Sequence, residues 1–227
     1  ILVDDLSEDS TLQKLKDLSK KYPENWIKIF SLDKNYGPAK ARNLAWDMSK
    51  GDYIAFLDAD DIWSPKKIEI TDKILSMNKK INLLGHGHAL KQSDLCNSDN
   101  VGPCRLKKIS FFDLLIKNRF VTPSAVLRRD IKERFDEKMY YLEDHELWVR
   151  IAYKHSGVYF LNSVLVALGR VPLTKGGLSG NKAKMRFGEI KMYIKLFKYN
   201  PLFIFIIPIL LFYSISKHAF RSLVTRS

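Results

Sequence analysis

Cysteine is nearly absent: Cys96 and Cys104 are the only two in 227 residues. They lie in one stretch, CNSDNVGPC, with no further Cys or His nearby at metal-ligand spacing, which excludes a zinc site built on them. A local disulfide stays open by geometry, yet with no signal peptide in view the expected state is a reduced intracellular pair. Long apolar runs are scarce too. Pro201–Ile215, PLFIFIIPILLFYSI, holds 15 uncharged residues, whereas a comfortable membrane-spanning helix needs about 17 to 25. Pro208 also falls in its middle. An opening methionine is lacking and Ile1 begins inside an apolar strand, so an upstream segment is expected to be missing.

Acid is scarce at the far end. The formal charge is +13, and the last 46 residues, from Lys182 on, hold nine Lys/Arg against one Glu, so +8 of it sits in that tail. Nucleic acid is the first partner to weigh for such a balance, but these basic residues are interleaved with long aliphatics and make no nucleic-acid motif. An anionic membrane surface fits better. Lys195, Lys198, Lys217 and Arg221 flank Pro201–Ile215 on both sides, so charge sets no spanning orientation. The expectation is a basic, hydrophobic helical tail over 181–227, peripheral to or shallowly inserted in the cytoplasmic face of the cell membrane. A buried core helix is the competing reading.

The 46% of hydrophobic residues suffices for the core of one large α/β domain, placed over 1–180. Ile1–Val3 reads as a strand tip ending in Asp4 and Asp5, and Leu12, Leu15 and Leu18 mark a helix to about Tyr22. Trp26–Leu32 follows as a second strand. Pro38 then opens a helix over Ala39–Ser49 that Gly51 closes, and Tyr53–Leu57 is a third strand. Connections this short predict parallel neighbours with right-handed crossovers, hence a mostly parallel, Rossmann-like sheet with flanking helices.

The third strand runs into Asp58-Ala59-Asp60-Asp61. Ligands of open α/β sheets bind outside the carboxyl ends of the strands, and on an extended backbone Asp58 and Asp60 point to the same side. Two carboxylates there suit one hard cation, Mg²⁺ or Mn²⁺, shared with the phosphates of a nucleotide diphosphate. An acidic loop capping the next helix is the plain alternative. At the same edge, Asp4 and Asp5 can accept hydrogen bonds from a base or ribose hydroxyl. Arg42, early in the helix with Lys40, can grip phosphate as a rigid fork. Helix capping and an exposed helical charge are the respective alternatives. His86 and His88 alternate on a strand over Ile81–Leu90, but spacing supplies no third ligand, so a satisfied sheet-edge pair is expected rather than a metal site.

Three stretches, ILVDDLSEDS, NYGPAKARNLAWDMSKGDYIAFLDADDIWSPKKIE and FDEKMYYLEDHELWVRIA, resemble in order the motifs of the family 2 glycosyltransferases, which have the GT-A fold. The match spans most of Ile1–Ala152. It implies inverting, metal-dependent transfer of a sugar from a nucleotide-diphosphate sugar to a hydroxyl of a lipid-linked or polysaccharide acceptor, in cell-surface glycan synthesis. Asp4 and Asp5 would contact the nucleoside, and Arg42 lies in the family's Ala-Arg-Asn element. Asp58 and Asp60 match its metal and ribose motif. Asp144, second of the Glu-Asp pair at the start of a helix with apolar Leu147, Trp148, Ile151 and Ala152, would be the general base. Glu143 and Trp148 would contact the acceptor, with helix capping and core packing as the alternatives.

Two departures stand out. The family begins with a further strand and helix, about 30 residues, that carry a Pro-x-Tyr-Asn-like nucleotide contact, and this chain lacks them. Lys40 stands where a small residue is more usual. In the loop Val171–Gly180, which in related enzymes carries a His or Arg, only Lys175 offers a phosphate contact, and a flexible linker is the alternative. Two other functions compete. A haloacid-dehalogenase-like phosphohydrolase would use Asp58-x-Asp60, but on its first strand and not the third. A non-catalytic membrane-associated protein is the other.

Overall fold

Apolar triplets closed by turn residues build the first third of the chain: β1 (Leu2–Asp4), α1 (Thr11–Ser19), β2 (Ile29–Ser31), α2 (Pro38–Met48) and β3 (Tyr53–Ala55). The computed structural model describes residues 1–96, 104–170 and 181–224. β1 and β2 pair in parallel, with Val3 opposite Phe30. Pro38 is the first residue of α2, where a missing N–H costs nothing, and Ala39, Asn43 and Trp46 turn one face of that helix inward.

Beyond β3 follow β4 (Ile62–Trp63), α3 (Lys67–Met77), β5 (Leu83–Ala89), β6 (Leu106–Lys108), α4 (Phe111–Ile116), β7 (Val126–Arg128), α5 (Glu143–Lys154) and β8 (Val158–Ala167). The main sheet runs β3-β7-β5-β8-β4, with β6 also on β8. β5 and β8 are parallel, whereas the β3–β7, β5–β7, β4–β8 and β6–β8 pairs are antiparallel. The expected mostly parallel sheet is therefore corrected to a mixed one, and β3 ladders with β7 and not with β1 or β2. The cause is β7. It lies between β3 and β5 and runs against both, so two strands that point the same way are kept apart by an antiparallel one.

Leu75, Ile81, Leu84, Val126, Leu161 and Leu165 form the core beneath this sheet. A second contact line runs through aromatic rings: Trp46 of α2 meets Phe56 at 5.8 Å, Phe56 meets Phe135 at 5.2 Å, and Phe135 meets Trp148 of α5 at 6.0 Å. These edge-to-face contacts hold α2 and α5 around the carboxyl end of β3. Asn43 adds two hydrogen bonds to the backbone of Phe135, both 2.9 Å.

His86 and His88 do not form a pair. The β5–β8 register shifts on both sides of Gly87, leaving His86 buried and His88 exposed. His86 Nδ1 faces its neighbour's carbonyl, Gly87 O, at 2.8 Å, so Nε2 is the acceptor for Lys67 Nζ at 2.6 Å. Lys67 also donates to Pro123 O at 3.0 Å and lies over the Trp63 ring. Burial pushes the Lys67 ammonium down to about 7, and burial with the Lys67 charge pushes His86 down to about 3.

Contacts divide the chain into two compact units, Ile1–Val171 and Pro172–Ser227. In the second, α6 (Lys182–Tyr199) and α7 (Ile207–Val224) are joined by the turn Pro201–Phe205. Asn200 makes that turn, its side chain accepting from Leu202 N at 2.9 Å. The apolar run 201–215 is thus split between a turn and the start of a helix. Among the described residues no helix is long and apolar enough to cross a membrane. Tyr193, Leu196 and Ser214 are buried within this unit, and Arg186 bonds Glu189 on its own helix and Ser214 on the other.

Candidate active site

Arg42 joins two elements that are far apart in sequence. Its Nε and Nη2 donate to the Asp58 carboxylate at 3.2 and 2.9 Å, and its Nη1 donates to Glu143 Oε1 at 2.9 Å. Burial opposes the guanidinium's charge, yet Asp58 and Glu143 hold its pKa above the ordinary value. For Glu143 the balance goes the other way. Burial and the adjacent Asp144 push it up to about 7 against the pull of Arg42. The fork expected to meet phosphate is turned to these two carboxylates, and Lys40 pairs with Glu137 at 3.3 Å.

Past Asp58 the chain turns. Asp60 is 46% exposed and faces Arg170 Nε at 3.2 Å. Asp61 accepts from Gly169 N at 2.9 Å; burial and repulsion from Asp58 and Asp60 still raise its pKa. A side chain at 169 could not fit, since its Cβ would lie 1.7 Å from Asp60 O. Among the described residues no group of three or more His, Cys, Asp or Glu could hold a metal ion alone. The donor set fits a hard cation that takes one or two protein carboxylates and completes its shell with phosphates and water. Asp60 is the more exposed carboxylate of the pair, with one oxygen on Arg170, whereas both oxygens of Asp58 take Arg42.

Asp4 ends β1 and Asp5 follows it, with different fates. Asp5 accepts from Tyr36 N at 2.8 Å and Gly37 N at 2.7 Å, fastening the turn before α2. Asp4 is 4% exposed; Ser7 N reaches its Oδ2 at 3.3 Å and its Oδ1 is buried without a partner. A buried acceptor without a donor is costly, and a ligand's N–H or O–H would satisfy it.

Glu143 and Asp144 open α5, following Leu142 in a left-handed conformation (φ 59°). Asp144 Oδ1 accepts from His145 N at 2.6 Å, and Oδ2 accepts from Asn118 Nδ2 at 3.4 Å. The acceptor contacts expected of Glu143 and Trp148 need correction. Glu143 is buried and turned to Arg42, and Trp148 is 0% exposed, packed on Phe135 inside the core. Trp148 faces inward because its apolar stripe on α5 is what the helix buries. Lys175 lies outside the described residues. Asn118 and Gly169 were not signalled by any local pattern, since each meets its partner across a long stretch of chain.

A mixed α/β sheet with carboxylates gathered at the strand ends is the GT-A-like arrangement of glycosyltransferases. Residues 1–131 match the model of glycosyl transferase family 2, and the chain belongs to that family. It is 28% identical over 224 residues to the UDP-Glc:alpha-D-GlcNAc-diphosphoundecaprenol beta-1,3-glucosyltransferase WfgD of Escherichia coli, covering 97% of this chain and 83% of that one. S. aureus TarS 1-349 in complex with UDP-GlcNAc superposes with a TM-score of 0.66 at 16% identity, over 86% of this chain and 56% of that one. The mannosyltransferase PcManGT from Pyrobaculum calidifontis, in complex with GDP-Man and Mn²⁺, gives 0.63 at 14% identity, over 97% and 65%. At these identities the likeness to both structures concerns the fold, and this chain spans less than two thirds of either. Family membership replaces the phosphohydrolase reading of Asp58-x-Asp60.

Proposed function

We propose that the unit Ile1–Val171 transfers a sugar from a nucleotide-diphosphate sugar to a hydroxyl of a lipid-linked or polysaccharide acceptor in cell-surface glycan synthesis, with inversion at the anomeric carbon. The observation that carries this reading is the Arg42 bridge, which ties the acidic end of β3 to the residue beside Asp144. Asp4, through its unpartnered Oδ1, accepts from the nucleoside, and Asp5 supports it by holding the turn before α2. Asp60, with Asp58 beside it, would hold a Mg²⁺ or Mn²⁺ ion, which supplies charge neutralisation for the departing diphosphate. Asp144 takes the proton of the acceptor hydroxyl as its oxygen bonds to C1; the C1–O bond to the diphosphate breaks, and the nucleoside diphosphate leaves with its electron pair. One displacement from the face opposite the leaving group inverts C1. Assay of UDP-glucose, UDP-N-acetylglucosamine and GDP-mannose with Mn²⁺ and a GlcNAc-diphosphate lipid tests the reading: release of nucleoside diphosphate from one donor supports it, and release from none overturns it.

The second unit supports a place on the cytoplasmic face of the membrane. Phe205 and Phe212 are each 74% exposed, and Leu202, Ile204, Ile209 and Ile215 are exposed with them. Exposed apolar side chains concentrated in one stretch call for a partner, and Lys191, Lys195 and Lys198, shortly before it in the sequence, suit anionic lipid at roughly 1 kcal/mol each. The protein is expected to bind anionic vesicles, more weakly in high salt but with a salt-resistant remainder that is lost when the chain ends at Asn200. No binding to such vesicles would refute the membrane reading.

A further inference from the structure

Asp144 is held from two sides, and one of them belongs to a loop that no motif covers. Its Oδ1 takes the N–H of His145, whose ring is fixed in turn by a 2.5 Å contact between Nε2 and Leu114 O of α4. Its Oδ2 takes Asn118 Nδ2 at 3.4 Å. The Asn118 amide cannot swing freely, because Phe120 N donates to its Oδ1 at 3.2 Å and so points Nδ2 toward Asp144. Phe120 is itself anchored. It is fully buried, stacks on Phe160 with ring centroids 6.3 Å apart, and fills the space over Gly85, where a Cβ would lie 1.8 Å from its ring. The chain of contacts from β5 through Phe120 to Asn118 ends on the carboxylate.

We propose that Asn118 is a positioning residue for the Asp144 base. This inference rests on the reading of Asp144 as the base. A donor on Oδ2 occupies one side of the carboxylate and so fixes which lone pair is left for the acceptor hydroxyl. The charged groups around Asp144 are Glu143 beside it and Arg42 from α2; Asn118 is the neutral group that meets it from the loop after α4, with Lys117 and Arg119 flanking it in the chain. Its contribution is directional where theirs is Coulombic.

Two variants separate positioning from loop folding. Asn118→Asp keeps the acceptor for Phe120 N, so the loop stays anchored, but removes the Nδ2 donor and sets a second carboxylate against Asp144. Asn118→Ala removes both. Turnover of whichever of UDP-glucose, UDP-N-acetylglucosamine or GDP-mannose is active is measured from pH 5.5 to 9. Asn118→Asp should lower kcat at least about tenfold, the worth of a hydrogen bond to a charged group, with KM for the donor unchanged. Asn118→Ala should lose about tenfold in kcat. If Asp144→Asn is inactive while Asn118→Asp matches the parent across that range, the positioning role is wrong and the base stands. If Asp144→Asn retains full turnover, the base reading fails and this inference falls with it.

Discussion

Replacing Arg42 by Gln should destabilise the protein in a pH-dependent way. The guanidinium is only 14% exposed in its side chain and carries hydrogen bonds of 2.9 to 3.2 Å to Asp58 and Glu143. Removing one partner of such a buried ion pair costs about 3–5 kcal/mol, because the carboxylates left behind are uncompensated. At about 2–4 °C per kcal/mol for a chain of this size, Tm should fall by roughly 10 °C at pH 8. Glu143 has a way out. Its folded pKa of about 7 lies above the ordinary 4.5, so the native state holds an extra proton between those values. The stability from that proton is full below pH 4.5 and is lost as pH rises through 7. Without Arg42, which pulls Glu143 down, this window extends further upward. At pH 5.5 Glu143 is neutral in both proteins and the charge left uncompensated is that of Asp58 alone, so the Tm deficit should shrink to about half. Arg42→Lys keeps the charge without the planar fork and should fall in between. Thermal unfolding followed by circular dichroism at pH 5.5 and 8 decides the matter. A deficit under about 2 °C at pH 8, or one that does not shrink on acidification, would refute the coupling.

Asp60→Asn should nearly abolish transfer, as should excess chelator; full activity in chelator would remove the metal from the account. Lys67 carries a separate prediction for stability. Its folded pKa near 7 against the ordinary 10.5 means that the native state binds fewer protons than the unfolded chain between those values, so stability rises with pH across that window and is lowest at or below pH 7. In Lys67→Met the rise in denaturation midpoint from pH 7 to 9.5 should vanish, and persistence of the full rise would assign it to other groups.

The sequence was legible where a local pattern carries the structure. Pro38 opening a helix, Gly37 before it, the apolar triplet before Asp58 and the stripe on the helix after Asp144 each depend on neighbours within a few residues. What escaped depends on distant partners. Nothing local to Val126–Arg128 states its direction, because a three-residue apolar strand fits a ladder of either sense. Arg42 looked like a phosphate ligand because an arginine fork suits phosphate and carboxylate equally; its carboxylates lie 16 and 101 residues away. Lys67 carries no signal in its neighbours, and only the fold brings His86 and Pro123 to its ammonium. The spacing of Trp148 suits an acceptor contact or the core alike, and the packing of Phe135 against it decides for the core.

The central claim is that sugar transfer uses the carboxylates Asp4, Asp58, Asp60 and Asp144, with Asp144 as base. The most direct measurement compares the parent with Asp144→Asn in the active donor, recording nucleoside diphosphate release and donor affinity together. The account predicts that donor affinity stays within a few fold while turnover falls about 10²–10⁴-fold. Unchanged turnover, or a loss confined to donor affinity, would contradict it.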